Sequence, residues 1–103
     1  MKAAYLETWT ESEAGWGTRP DGVTLHLTRE DYQKYVDEYW EREKESNPSG
    51  ATPHEYTRQD NNLKMVMISD ELFEELSKNQ ERHGLRLWQS EFKKKTKENN
   101  IIF

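Results

Sequence analysis

One hundred and three residues, 34% of them charged and 32% hydrophobic, with a formal net charge of −5 and no cysteine, suit one domain of the roughly 100–150 residues usual for a single core. The negative balance argues against a general nucleic-acid binder, which needs a basic stripe to displace phosphate counterions. The lack of cysteine removes disulfides and thiolate metal sites.

Four Trp and five Tyr, each able to bury roughly 150–250 Å², predict an aromatic core. So small a domain buries a modest fraction of its surface, which makes a homo-oligomer that covers more apolar area an open alternative. No stretch approaches the roughly 18 apolar residues of a membrane span, and Met1 to Glu7 lacks an apolar leader core, so a cytoplasmic protein without membrane contact is expected.

Residues Lys2 to Thr10 alternate as a first strand. Pro20-Asp21-Gly22 is turn chemistry within a glycine-punctuated loop, and Val23 to Thr28 follows as a second strand, with Val23, Leu25 and Leu27 on one face and Thr24 and His26 on the other. The pair reads as an antiparallel hairpin with a long tip. Thr28 is the N-cap of a helix whose first turn carries Glu30 and Asp31. Its stripe Tyr32, Tyr35, Val36, Tyr39, Trp40 has helical spacing and reads as a core face, and Asn47-Pro48-Ser49-Gly50 ends it.

Residues 46–62 hold turn formers and little apolar content and read as a long loop. Leu63 to Ile68 is a third strand, apolar on both faces apart from Lys64 and therefore central. Ser69 caps a second helix with Leu72, Phe73 and Leu76 inward, closed by Gly84 at C′. Leu85 to Gln89 is a fourth strand, Glu91 to Lys97 a short helix, and residues 93–103 a tail whose apolar end docks on its own domain or on a neighbouring subunit. The order β-β-α-β-α-β predicts an α+β two-layer sandwich: a mostly antiparallel four-stranded sheet with both helices on one face.

With Val23, Leu25 and Leu27 turned to the helices, Thr24 and His26 face away, joined by Arg86, Trp88, Tyr5 and Trp9. Trp16, Arg19, His26, Arg58, Arg86 and Trp88 then form the candidate site, because guanidinium groups grip phosphate or carboxylate, indoles stack planar rings and glycines allow close backbone approach. The same residue types also suit a subunit contact. His26, His54 and His83 sit on three elements without ligand spacing, so neither a metal nor another cofactor is expected. His26 beside Glu7 or Asp21 is the one acid–base pair a small hydrolase or nuclease could use. No nucleophile stands in a recognisable setting, and a non-enzymatic protein is the reading preferred.

The runs Trp16-Gly17-Thr18-Arg19-Pro20-Asp21-Gly22, Leu25-His26-Leu27-Thr28, Glu55-Tyr56-Thr57-Arg58 and Gly84-Leu85-Arg86-Leu87-Trp88 resemble small accessory proteins encoded by tailed bacteriophages. That resemblance implies a factor in the host cytosol that sequesters a nucleotide immune signal or binds a host protein, and it transfers no site residues. Two functions stay open beside enzymatic hydrolysis: a binder of a small anionic ligand, and an acidic inhibitor of a host factor.

Overall fold

The computed structural model describes residues 1–13, 17–46 and 55–103. Trp16, His54 and the helix stop read at 47–50 lie outside them. The sheet is built on β1 (Lys2–Glu13), which runs antiparallel to β2 (Gly17–His26), and the hairpin is as expected. The strands run on through residues 11–13 and 17–22, where a long loop with a turn at Pro20-Asp21-Gly22 is expected, because the ladder continues past a bulge at Trp9/Thr10. The other edge of β1 is shared. Residues 2–6 pair with β4 (Lys64–Ile68) and residues 9–13 with β3 (Glu55–Gln59). β5 (Leu85–Leu87) lies outside β2 and β6 (Ile101–Ile102) outside β4, giving the order β5-β2-β1-β4-β6 with β3 beside β1.

Among the described residues the sheet therefore has six strands, curls, and is antiparallel, where four strands in a flat sandwich are expected. The two extra strands share one cause. Glu55–Gln59 has no apolar alternation to betray it, because it borders a ribbon whose side chains are polar, and Ile101–Ile102 is two residues long. A strand of twelve residues can hold two partners end to end on one edge, and only the partners reveal it.

The second correction concerns the layers. α1 (Arg29–Ser46) covers one face of the sheet, while α2 (Asp70–Lys78) and α3 (Gln89–Lys97) cover the other. Beneath α2 and α3 lie Ala4, Leu6, Val23, Leu25, Val66 and Ile68, closed by Leu72, Leu76, Leu87 and Ile101. Beneath α1 lie Glu7, Trp9, Thr24 and His26, all buried, and Tyr32, Tyr35 and Tyr39 of the helix stripe meet them with ring edges and hydroxyl groups. The period-2 split of β2 is as expected. Its polar face is covered all the same, because Thr24 and His26 find partners in the Trp9 indole, in each other and in the His83 carbonyl, while Tyr32 donates to Glu7 beside them.

The helix starts match the caps. The Thr28 hydroxyl accepts from Asp31 N–H at 3.0 Å and the Ser69 hydroxyl from Leu72 N–H at 3.2 Å. Past α2 the chain makes a short 3-10 turn, Gln80–Arg82, and the left-handed residue there is His83 (φ 64°) rather than Gly84. Gly84 serves close approach instead: a Cβ would stand 2.6 Å from His26 Nδ1. β4 is internal to the sheet, as its apolar run suggests, yet Met65 and Met67 stand 64% and 39% exposed beyond the reach of α1.

Candidate functional site

The covered polar face has a single consistent proton assignment. His26 Nδ1 lies 2.7 Å from the carbonyl of His83, which only accepts, so that nitrogen carries the proton. Nε2 is then an acceptor for the Thr24 hydroxyl at 2.7 Å, and Thr24 Oγ1 in turn accepts the Trp9 indole N–H at 2.9 Å. Burial pulls the His26 pKa down to about 4, against the opposing pull of the His83 carbonyl and of Asp31. Glu7 takes the Tyr32 hydroxyl at 2.5 Å and the backbone N–H groups of Thr8 and Asn62 at 3.1 and 3.0 Å. Burial and this carboxylate together push the Tyr32 pKa up. Tyr39, buried and near Glu43, is pushed up to about 12, and its hydroxyl donates to the Thr57 carbonyl. Glu7, Thr24 and His26 are paired and shut off from solvent, and the hydroxyls of the half-buried Tyr32 and Tyr39 are partnered above them.

The open site lies at the edge of this layer. Between α1 and the chain from Asn79 to Arg86 is a cleft of about 530 Å³, inside the range of roughly 300–1,000 Å³ common for small-molecule sites. Tyr35, Glu38 and Arg42, on one stripe of α1, form one wall; Glu81, Arg82 and Arg86 are prominent on the other. Three arginines from three elements thus border one space, with Glu38 and Glu81 among them. Arg86 is fixed on both sides: it pairs with Asp21, and its guanidinium carbon stands 4.5 Å over the Trp88 ring. Its Nε is buried and has no hydrogen-bond partner among the described residues, a donor whose desolvation is uncompensated.

The six residues singled out in the sequence do not converge as a set. Arg86 and Trp88 are brought together at the β5 edge. Arg19 lies out on the β1–β2 ribbon, its guanidinium paired with Glu11 at 2.9 Å and Glu13 at 3.1 Å, and these carboxylates raise its pKa. Arg58 pairs in register with Thr10 and is exposed, while its neighbour Gln59 takes the Trp40 indole N–H on the α1 side. Successive strand residues point to opposite faces, so Arg58 and Arg86 lie on opposite sides of the sheet. His26 is sealed under α1, a correction to its place on an open face. Trp16 lies outside the described residues.

Arg42 and Arg82 line the cleft and were missed. Arg42 follows Tyr35 by two helical turns on one stripe, which is legible once the facing chain is known, and nothing in the sequence says what faces it. Among the described residues no three His, Asp or Glu side chains gather as a metal site, and no helix is long and apolar enough to cross a membrane. Comparison of the chain with protein-family models, with curated proteins and with solved structures finds no match.

Proposed function

We propose that the protein binds a small anionic ligand without transforming it, in the cleft between α1 and the 79–86 segment, as a phage-type accessory factor that sequesters a nucleotide signal. The observation that carries this reading is the convergence of Arg42, Arg82 and Arg86 on one cleft with the Tyr35 ring on its wall. Guanidinium groups suit phosphate oxygens. Glu38 and Glu81 on the same walls make a plain inorganic anion a poor match and a ligand that also donates, through sugar hydroxyls or ring amines, a good one. Arg86 arrives with its orientation set by Asp21 and Trp88, so little freedom is lost on binding.

Calorimetry and thermal shift against cyclic and linear nucleotides test the reading. A ligand is expected whose affinity falls more than about tenfold in Arg42→Ala and Arg82→Ala, each removing charged hydrogen bonds of about 1.5–3 kcal/mol. Arg58→Ala, on the opposite face, leaves it unchanged. No response to any nucleotide, or equal loss in all three variants, removes the proposal.

A second reading, inhibition of a host protein through an acidic surface, draws on the outward side of α1, where Glu30, Asp37, Glu41 and Glu45 are exposed. A partner whose capture survives Arg82→Ala and fails on charge reversal at Asp37 and Glu41 would favour it. A hydrolase reading centred on His26 has the least support, since both ring nitrogens are engaged and the residue is 0% exposed.

A further inference from the structure

We propose that His83 is a proton-controlled latch on the arginine cleft: protonated, it holds the Glu38 carboxylate away from the arginines, and on losing its proton it returns that carboxylate to them. The inference concerns regulation of the site and rests on reading the cleft as an anion site.

His83 follows the 3-10 turn that supplies Glu81 and Arg82 to the cleft, and its ring lies against α1. Nδ1 is 3.3 Å from Asp31 Oδ1 and Nε2 is 3.5 Å from Glu38 Oε1. Both neighbours are carboxylate oxygens, which accept and do not donate when ionised. A neutral imidazole carries one N–H and turns a lone pair toward whatever faces its other nitrogen. Both contacts are attractive together only in the imidazolium form.

The surroundings are otherwise fixed. From α1 the charged groups facing the ring are Asp31 and Glu38. From β2 the neighbour is His26, which donates to the His83 carbonyl and is held neutral by burial. Arg82, next in the chain, is exposed.

Loss of the proton sets a lone pair against a carboxylate. The two acids differ in their freedom to respond: the Asp31 side chain is 16% exposed and Glu38 53% exposed, so Glu38 is the one that swings. One turn further along α1 is Arg42, at the i,i+4 spacing that favours a Glu–Arg pair, and both line the cleft. A released Glu38 neutralises part of the charge an anionic ligand would use. Histidine changes charge near neutral pH, so the latch converts a modest fall in pH into a more cationic cleft.

The test uses the full chain in two arms. Imidazole nitrogen NMR of wild type and Glu38→Gln reads the latch with no ligand present. Both His83 nitrogens are expected to carry protons while the Asp31 and Glu38 contacts are made, with Nε2 signals that respond to Glu38→Gln. A single neutral tautomer at pH 6, or signals indifferent to Glu38→Gln, overturns the latch. The second arm measures binding of a cyclic dinucleotide, whose phosphodiesters keep their charge between pH 6 and pH 8. Wild-type affinity is expected to fall about tenfold over that range, the size of one charge-assisted hydrogen bond. Glu38→Gln and His83→Gln are each expected to lose most of that pH dependence, whatever their absolute affinity. Equal pH dependence in wild type and Glu38→Gln overturns the latch. Absence of binding at any pH counts against the cleft as a site for this class, while the NMR arm still decides the latch.

Discussion

The two faces of the sheet are held by different physics. Under α2 and α3 the buried residues of β1, β2 and β4 are aliphatic and meet leucines; attraction there is non-directional and scales with area removed from water, about 25 cal/mol per Å². Under α1 the buried residues are Glu7, Trp9, Thr24 and His26, held by a directed chain of donors and acceptors. Such a layer contributes little per bond and costs much when one partner is lost. The cleft opens at the edge of the polar layer, where Tyr35 leaves the stack and the arginines begin. Directed networks hold side chains at set positions, which a binding wall needs.

The largest expected effect is at the joint of the two layers. Gly22 has φ 112°, and a Cβ there would collide with the Leu87 carbonyl as the chain passes from β5 over the sheet edge into α3. Gly22→Ala is expected to cost roughly 4 kcal/mol or more, since both the backbone conformation and the contact are refused. Chemical denaturation reads the loss, and near-normal stability would mean that the crossing at 87–89 is wrongly placed.

Next come two substitutions of similar cost and opposite origin. Leu72→Ala on the aliphatic side empties a buried site and is expected to lose roughly 2–5 kcal/mol. Thr24→Val on the polar side keeps the shape, yet it leaves the Trp9 N–H and His26 Nε2 unpaired, roughly 1–3 kcal/mol for each group. A neutral Thr24→Val would abolish the contrast between the faces.

Acid separates the faces at intermediate cost. The His26 pKa falls from 6.5 to about 4 on folding, so the unfolded chain binds the extra proton first as pH drops. The associated stability, about 3 kcal/mol for the full shift, is present above pH 6.5, drains between 6.5 and about 4, and is gone below. Denaturation midpoints across that window should show the slope in wild type and in Leu72→Ala. In His26→Gln, which binds no proton, the slope should shrink even though the variant is weaker overall. The smallest effect is expected at Met65→Ser on the uncovered part of the sheet, within about 0.5 kcal/mol; a larger loss that depends on protein concentration would show that this face is covered by another copy.

Much of the fold was legible from local chemistry. The caps at Thr28 and Ser69, the pairing of β1 with β2, the helices α1 and α2 and the body of α3 follow from signals confined to a few neighbouring residues. β3 and β6 did not, because their evidence is a partner strand elsewhere in the chain. The site was legible only in part: Arg86 and Trp88, two residues apart, are found together, whereas Arg42 and Arg82 become neighbours of Arg86 only after α1 is laid across the sheet.

The sequence by itself determined which residues of each element share a face, since the periods of strand and helix are properties of the local backbone. It left open what each face would meet. Thr24 and His26 read equally as a solvent-facing row and as the floor of a polar layer, and the choice was made by the rings of Tyr32 and Tyr35, the Trp9 indole and a histidine carbonyl brought from other parts of the chain. Tertiary structure decided it for a physical reason: a polar group can be buried wherever its hydrogen bonds are met, and those partners are supplied by the fold.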